Sequence, residues 1–372
     1  MEKDQKLIQE AALQFVIYGD FEKAVPYGKG HINDTFASQW NQAGLTVRYL
    51  HQRINHKIFV RPDQVMENIQ RVTNHIAAKL EGLHDRSRRT LTLVPARNGG
   101  SWVRDSAGGW WRTYLFIEGT HTLDIASSPE EARFLGKSIG CFQNQLADLP
   151  QPRLHETIPN FHNMETRYQR FHQALKADIC HRAKDAEEEI AFMLANEERG
   201  ALLIKALKSG ALPERICHND TKMNNILIDD QPSKMEDPVF CVGDLDTVMP
   251  GTSLFDVGDL IRTVCTRAVE DEQDLAKVSF DPVFFQALLE GYLSEAKKFL
   301  TSEEKRLLLE GGRNITQIMG LRFLTDYLEG DHYYHISRDR HNLDRCRNQI
   351  TLIRSIDAEW EKAEQIVSLL LA

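Results

Sequence analysis

A short polar string in the second half of the chain holds the residue types that phosphoryl transfer requires. Residues 216–228 read ICHNDTKMNNILI, with His218, Asp220, Lys222 and Asn225 in sequence before an apolar run. Transfer to a hydroxyl needs a carboxylate that orients the O–H and accepts its proton, and an amide oxygen that holds the metal ion neutralising the triphosphate. Asp220 and Asn225 supply these two groups, and Lys222 places an ammonium near the transferred phosphoryl group.

A second carboxylate follows about twenty residues later, at the end of another apolar run. Residues 240–247 read FCVGDLDT, so that Asp244 ends the run and Asp246 comes two residues after it. Mg²⁺ prefers oxygen ligands and keeps part of its water, so Asn225, Asp244 and phosphate oxygens suffice to hold it. Asp244 is therefore the second predicted metal ligand, and Asp246 either supports the metal site without contacting the ion or binds a second metal.

Length and composition restrict the classes to which this chain can belong. Its 372 residues allow about two domains, and its contents of 42% hydrophobic and 27% charged residues are ordinary for a globular protein. The net charge of −9 argues against a nucleic-acid partner, and the apolar runs are too short for a membrane span. The charged N-terminus is unlike a signal peptide, and the six cysteines are scattered. We expect a cytoplasmic protein without nucleic-acid or membrane partners.

The pattern of apolar residues predicts an α+β protein with two lobes. Residues 1–117 read as a β-rich N-lobe with one long helix, and residues 118–372 read as an α-rich C-lobe, with a hinge near 116–120. A small hairpin at 226–228 and 239–242, around a polar loop with Pro232 and Pro238, interrupts the helical part. The predicted strands are 23–27, 34–40, 45–54, 91–94, 101–104 and 110–117, and the predicted helices are an opening helix, 62–83, 129–148, 161–176 and 185–209.

The order His-x-Asp-x-Lys-x-x-Asn is that of the protein-kinase catalytic loop. Together with CVGDLDTVMPGTSLFDVGDLIRT, it resembles the aminoglycoside phosphotransferase and choline kinase superfamily. Within that group the chain is most similar to the N-acetylhexosamine 1-kinases, in YGKGHINDTF, HQRINHKIF, WWRTYLFIEGT, LRFLTDYLEGDHYYHI and HNLDRCRNQI. The resemblance implies a protein-kinase-like fold that binds ATP and Mg²⁺ between its lobes. It also implies transfer of the γ-phosphate to the anomeric hydroxyl of an N-acetylhexosamine.

The resemblance also implies roles for residues of the N-lobe. Gly28 and Gly30 would lie in the loop over the phosphates, although two glycines also suit a simple hairpin turn. Arg53 stands where kinases have the strand lysine that grips the phosphates, and Glu67 of the following helix would pair with it. Gln52 takes the place of Arg53 if the strand register differs by one residue. The backbone of the hinge would meet the adenine, at Phe116, Ile117 and Glu118.

A late polar segment holds candidates for the acceptor site. Sugar pockets use aromatic rings and paired polar groups, and this segment has both, although a polar loop between helices is also commonly just solvated. The predicted substrate residues are Asp326, Tyr327, Tyr333 and Arg345.

The two carboxylate motifs have four alternative interpretations. Asp220 and Asn225 also suit a turn that satisfies its own backbone. The string Asp244-Leu-Asp246-Thr-Val matches the opening of haloacid-dehalogenase-type phosphatases, but that fold needs parallel β-α units that the helical remainder lacks. A nucleotide-binding pseudokinase would lack the base or the metal ligands. A kinase of the same fold could act on choline, a hydroxy-amino acid or an aminoglycoside, and composition does not decide between these acceptors.

Overall fold

The computed structural model describes residues 2–28, 32–230 and 239–372. The chain forms two compact units. The first comprises Met1–His121, Leu149–Ile158 and Leu227–Met249, and the second comprises Thr122–Asp148, Pro159–Ile226 and Pro250–Ala372.

This division differs from the two contiguous lobes expected from the sequence, because two later segments belong to the first unit. The segment 149–158 is held by Asn68, whose side chain donates to the His155 carbonyl at 2.8 Å and accepts from the His155 N–H at 3.0 Å. The segment 227–249 is held by strand pairing, since Thr120 lies opposite Asp229 in an antiparallel ladder. Neither tie can be read from local periodicity.

The first unit is built on an antiparallel sheet that follows the helix α1 (Glu2–Ala12). In the described residues the sheet has the strand order β1-β2-β3-β5-β4. The strand at 45–54 is confirmed with both predicted ends, and its neighbours shift by a few residues. The strands are β1 (Asp20–Pro26), β2 (Asp34–Gln42), β3 (Leu45–Ile54), β4 (Val103–Arg104) and β5 (Trp110–Leu115).

The two faces of this sheet have different surroundings. One face forms a buried core with α1, in which Ile8 and Phe15 join Trp40, Tyr49 and Trp111. Because successive side chains of a strand point to opposite faces, the neighbours of these residues in β3 and β5 point to the other face. A polar network occupies that second face, as described below.

The rest of the first unit comprises helices and a small second sheet. The helix α2 (Pro62–Lys79) begins at the predicted proline, and α3 (Arg86–Arg89) follows it. Residues 91–94 are not a strand, because their pairing is limited to one isolated bridge between Leu93 and Tyr114. The predicted hairpin is confirmed, since β6 (Thr120–His121), β8 (Ile226–Asp229) and β9 (Phe240–Val242) lie side by side. The polar loop 231–238 predicted inside it lies outside the described residues.

The second unit is mainly helical, with a small pair of strands, β7 (Arg215–Cys217) and β10 (Met249–Gly251). The long helix expected over 185–209 consists of three shorter ones, with breaks at Asn196 and Ala201. No helix in the described residues combines the length and the apolar character needed to cross a membrane. The helices are α4 (Pro129–Leu146), α5 (Met164–Ala177), α6 (Glu187–Ala195), α7 (Glu197–Gly200), α8 (Leu202–Ser209), α9 (Ser253–Val264), α10 (Pro282–Ala296), α11 (Ser302–Arg306), α12 (Leu308–Glu329), α13 (His341–Ala358) and α14 (Trp360–Leu371).

Close helix contact fixes the position of α9, which is buried along nearly its whole length. A methyl group added at Gly258 would lie 2.4 Å from the carbonyl oxygen of Gly311 in α12, well inside van der Waals contact. Only glycine therefore allows α9 and α12 to approach this closely. The fixed helix α9 presents Asp256, next to this contact, to the catalytic loop.

Candidate active site

The catalytic loop of the second unit brings together three of the predicted residues. The loop runs from β7 to a 3₁₀ turn at Met223–Asn225. Lys222 Nζ lies 3.2 Å from Asp220 Oδ2, and Asn225 Nδ2 donates to the Asp220 carbonyl at 2.8 Å and to its Oδ2 at 3.2 Å. The Asp220 side chain is 27% exposed, so its carboxylate is held by two partners and still reaches solvent.

Asp256 anchors this loop, and the sequence analysis did not assign it a role. Its carboxylate accepts the backbone N–H groups of His218 at 3.0 Å and Asn219 at 2.7 Å. Its own carbonyl accepts the Thr221 hydroxyl at 2.7 Å. A carboxylate inside the apolar helical string SLFDVGDLI was the available signal, because a buried charge requires several hydrogen-bond donors.

His218 braces the loop from inside. It is fully buried, and its Nδ1 accepts the Asp220 backbone N–H at 3.3 Å. Its ring meets the edge of Phe142 with 5.8 Å between the ring centroids. These contacts favour a structural part for His218, and they orient the backbone from which Asp220 projects.

The surroundings of Asp220 keep its carboxylate ionised. Burial by itself would raise the pKa of this group, but the interactions with Lys222 and His218 outweigh burial, so the pKa lies below its usual value. An ionised carboxylate can accept a hydrogen bond from a hydroxyl and then its proton. This is the role predicted for Asp220.

In the first unit, the second carboxylate motif forms a tight turn. Asp244 follows β9 in the left-handed conformation, with φ of 50°, and opens a 3₁₀ turn at Leu245–Thr247. Asp246 lies in that turn and is buried, and its Oδ2 accepts the Asn33 side chain at 2.6 Å. Its Oδ1 accepts a hydrogen bond from Nη1 of Arg112. Both oxygens of Asp246 are thus engaged by chain donors, which argues against its serving as a ligand of a second metal.

Arg112, in β5, was also missed by the sequence analysis. It is fully buried, and its Nε donates to Gln52 Oε1 at 2.9 Å. Burial by itself would lower the pKa of Arg112, but the Asp246 carboxylate more than compensates, so the pKa is raised. The available signal was a cation in WWRTYL, at an inward-facing position of an otherwise buried strand.

The structure does not form the expected pair between Arg53 and Glu67. Arg53 lies on the face of the sheet opposite to Gln52 and pairs with Asp34 at 2.7 Å, while Glu67 pairs with His155 at 2.9 Å. Arg53 and Glu67 therefore bind other partners, and the role of Arg53 in gripping the nucleotide phosphates stays a prediction. Gln52, the alternative considered with it, points to the face that carries Arg112.

The remaining predictions for nucleotide binding fall on the first turn and the hinge. Gly28 has φ of 80° and open space around it, whereas Gly30 lies outside the described residues. Arg48 braces the hinge: its guanidinium stacks 3.8 Å from the centre of the Phe116 ring and pairs with Glu118. That hydrogen bond lowers the pKa of Glu118. The Ile117 carbonyl accepts a hydrogen bond from the Thr120 hydroxyl at 3.2 Å.

The two predicted metal ligands have the right chemistry for Mg²⁺. Asn225 uses its amide nitrogen to bond Asp220, which leaves its amide oxygen as the group available for a cation. Asp244 is a carboxylate at a turn that Asp246 fixes. No cluster of three His, Cys, Asp or Glu side chains that could hold a metal occurs in the described residues. An amide oxygen and a carboxylate are each, taken separately, of the ligand type that Mg²⁺ prefers.

The late polar segment borders a cavity in the second unit that is partly open to solvent. Two of the four predicted substrate residues, Asp326 and Tyr333, line it. Tyr327 is instead buried beneath Arg182, and Arg345 donates to the His335 carbonyl at 3.3 Å outside the lining. The lining residues that the sequence analysis missed are Arg167, Arg170, Arg322, Thr325, Glu329 and Tyr334.

Asp326 shapes this cavity through its hydrogen bonds. Its Oδ1 accepts the N–H groups of His332 and Tyr333 at 3.0 and 2.8 Å. Its Oδ2 accepts the Tyr334 N–H at 3.0 Å and the Asn342 side chain at 2.9 Å. Four donors occupy the carboxylate, so its contribution is to hold the segment that presents the two tyrosine rings.

The arginines of the cavity differ in their partners. Arg170 pairs with Glu329, but Arg167 donates to the Phe161 carbonyl at 2.7 Å, and Arg322 contacts aromatic rings. Among the described residues, neither Arg167 nor Arg322 has a carboxylate within ion-pair distance. Burial and the charge of Arg322 lower the pKa of Arg167 to about 10. With three arginines against the carboxylates of Asp326 and Glu329, the lining carries a net charge of +1.

The cavity lies within electrostatic reach of the catalytic loop. Burial alone would lower the pKa of Arg322, but Tyr334, Tyr333 and Asp220 together raise it. The geometry agrees, since Arg322 lies over the Phe161 ring, and the neighbouring His162 ring nitrogen lies 2.9 Å from the Asn219 carbonyl oxygen.

A sheet-based first unit, a helical second unit and a loop with aspartate, lysine and asparagine at the kinase spacing define a phosphotransferase of the protein-kinase-like class. The sequence model of the phosphotransferase enzyme family matches residues 23–297, and the chain belongs to this family.

Solved structures agree with this assignment at the level of the fold. The aminoglycoside phosphotransferase of Alicyclobacillus acidocaldarius aligns with a TM-score of 0.60 and 13% identity over 97% of this chain and 96% of its own. An ethanolamine kinase of Plasmodium vivax aligns with a TM-score of 0.53 and 14% identity over 91% of this chain and 84% of its own. A spectinomycin phosphotransferase in complex with ADP and spectinomycin aligns with a TM-score of 0.51 and 14% identity over 98% of this chain and 97% of its own. The predicted fold class is confirmed.

Proposed function

We propose that this chain transfers the γ-phosphate of ATP to the anomeric hydroxyl of an N-acetylhexosamine, GlcNAc or GalNAc, and releases the sugar 1-phosphate. Family membership supports the phosphotransferase reaction. The ADP bound to a structural neighbour supports an adenine nucleotide as the donor. The acceptor rests on the sequence resemblance and on the cavity beside Asp220.

In this reaction the anomeric oxygen forms a bond to the γ-phosphorus while the bond from the γ-phosphorus to the β,γ-bridging oxygen breaks, and ADP leaves. Asp220 orients the attacking hydroxyl and accepts its proton, for which its ionised state prepares it. Positioning matters more than strong basicity, because the transition state is largely dissociative. Lys222 places positive charge beside Asp220 and the transferred group.

Mg²⁺ would neutralise charge on the phosphates when bound. Asn225 would hold it through the amide oxygen that its hydrogen bonds to Asp220 leave available, and Asp244 would hold it through its carboxylate. The backbone of the hinge would meet the adenine, where Arg48 braces Phe116 and Glu118.

The charge of the cavity is the observation that carries the choice of acceptor. Arg167 and Arg322, without carboxylate partners in the described residues, disfavour cationic acceptors such as choline and aminoglycosides, because like charges repel. The hydroxyls and the acetamide carbonyl of an N-acetylhexosamine accept hydrogen bonds from guanidinium groups. The rings of Tyr333 and Tyr334 offer apolar faces to a sugar.

The same arginines favour a hydroxy-amino acid as the second candidate, since its carboxylate would pair with a guanidinium. A nucleotide-binding pseudokinase remains the alternative from another class. Asp220, Asn225 and Asp244 are all present, which favours a catalytic protein.

ADP release with Mg²⁺-ATP tests the proposal across GlcNAc, GalNAc, unsubstituted hexoses, choline, homoserine and an aminoglycoside. We expect release with an N-acetylhexosamine only, and none in Asp220→Asn. Arg322→Gln should raise KM for the sugar about tenfold or more and leave KM for ATP within about twofold, since a hydrogen bond to a charged group contributes about 1.5–3 kcal/mol. Arg340→Gln, at an exposed arginine outside the cavity lining, is the matched control.

The outcomes separate the candidates. Release with homoserine alone would replace the sugar by the hydroxy-amino acid and leave the catalytic residues unchanged. Release with choline or an aminoglycoside would refute the argument from cavity charge. Silence across the panel with ADP still bound would favour the pseudokinase.

A further inference from the structure

The guanidinium of Arg112 lies at the centre of a buried polar network in the first unit. Its Nε donates to Gln52 Oε1 at 2.9 Å, and its Nη1 donates to Asp246. The third nitrogen, Nη2, is inaccessible to solvent and has no hydrogen-bond acceptor among the described residues. Leaving a buried charged donor unpaired is costly, so residues with only a structural part normally have all their donors paired.

The surroundings of Arg112 indicate the chemistry of the missing acceptor. A guanidinium donates in a planar fork that matches carboxylate and phosphate oxygens. Asp246, which holds Arg112, belongs to the turn that presents the predicted metal ligand Asp244. The carboxylate of Asp244 is itself within electrostatic reach of Arg112. An anion that shares a metal ion with Asp244 would therefore arrive beside Arg112.

We propose that Arg112 binds the phosphates of the nucleotide through Nη2, once the side chains that cover this nitrogen move aside. Arg112 would thereby perform, from β5, the task that the sequence analysis expected of Arg53 in β3. Gln52 and Asp246 position its guanidinium, and their hydrogen bonds leave the third nitrogen for the ligand. The inference rests on the proposed function only in taking an adenine nucleotide as the donor, and it does not depend on the acceptor.

The experiment compares ADP and ATP with adenosine, which lacks phosphates, in calorimetric titrations without any acceptor. Arg112→Gln combined with Asp246→Asn removes both buried charges and keeps two amides that can bond each other. Arg112→Lys keeps the charge and the pairing with Asp246 but loses Nη2. Arg53→Gln is the competing variant, because it removes the cation to which the sequence analysis assigned this task, on the opposite face of the same sheet.

We expect the double variant to weaken ADP and ATP about 10- to 100-fold, the loss of hydrogen bonds to a charged group, with adenosine affinity within about threefold. Arg112→Lys should weaken ADP at least about fivefold, and it decides the question if the double variant fails to unfold cooperatively. Arg53→Gln should change neither ligand. Equal losses for ADP and adenosine, or normal ADP affinity in Arg112→Lys, would overturn the proposal.

Because these titrations contain no acceptor, an error in the proposed sugar leaves their result unaffected. Conversely, normal ADP affinity in the variants would refute the assignment of Arg112 while N-acetylhexosamine-dependent ADP release stayed intact. The two failures are therefore distinguishable.

Discussion

Replacement of Asp256 by asparagine tests whether α9 holds the catalytic loop in place. The carboxylate accepts three N–H donors, at 2.7 Å from Asn219, 3.0 Å from His218 and 2.9 Å from the Gln143 side chain. In asparagine one oxygen becomes an NH₂ group, so at least one of these donors faces another donor and the others lose a charged acceptor. A hydrogen bond to a charged group contributes about 1.5–3 kcal/mol, so we expect a loss of about 2–4 kcal/mol in the free energy of unfolding.

The same substitution should also slow catalysis. A displacement of about 1 Å of a catalytic group can cost about 100-fold in rate, and Asp220 follows directly after the two anchored residues. We expect kcat of Asp256→Asn to fall about 100-fold, whereas the dissociation constant of ADP should stay within about threefold. Urea unfolding, steady-state ADP release and calorimetry supply the three measurements.

Gln143→Leu is the matched control for this experiment. It removes a donor to the same carboxylate and the partner of the Tyr292 hydroxyl, but it touches no backbone group of the loop. A comparable loss of stability with kcat within about threefold is expected. A normal kcat in Asp256→Asn, or equal losses of kcat in both variants, would refute the anchoring argument.

Three further predictions concern the predicted catalytic and metal-binding side chains. Asp220→Asn should lower kcat about 10²–10⁴-fold, the usual contribution of a general base, with ADP affinity within about threefold by calorimetry; near-normal turnover would exclude Asp220 as the base. Asp244→Ala should abolish most of the Mg²⁺ dependence of ADP binding, measured with and without chelator, and an unchanged dependence contradicts the metal assignment. Because Lys222 lowers the pKa of Asp220, Lys222→Met should raise that pKa and move the acid limb of kcat/KM to higher pH. The profile is measured from pH 4 to 8, with Lys208→Met at an exposed lysine of α8 as the control, and an acid limb that stays in place would refute the coupling.

The same lowered pKa has a consequence for stability. The folded pKa of Asp220 lies below that of an ordinary aspartate, about 3.9 in an unfolded chain. Its contribution to stability is therefore present above that value and is lost as the pH falls through the folded pKa.

The pattern of residues along the chain predicted those features of the fold that neighbouring residues determine. The ends of β3 and the start of α2 at Pro62 follow from alternation and from the position that proline favours, and both are confirmed. The predicted catalytic loop could be recognised because Asp220, Lys222 and Asn225 lie together within six residues of chain.

The site residues that the sequence did not predict depend on which face of a strand or helix is covered by the rest of the chain. Alternation in β3 shows that Gln52 and Arg53 point to opposite faces, but only the packing of α1 on one face decides which of them reaches Arg112. Asp256 and Arg112 were missed because their partners are distant along the chain, and sequence periodicity carries no information about such pairs.

The pairing of Arg112 with Asp246 also constrains how the protein is made. The two residues are 134 positions apart, which a ribosome adding roughly 5–20 residues per second covers in roughly 7–27 s. Throughout that interval the emerging sheet carries a cation on the face that is destined to be buried, and water must solvate it. The first unit can therefore complete its interior only after residues 122–148 and 159–226 of the second unit have been synthesised, and the nascent sheet is a candidate for chaperone protection until then.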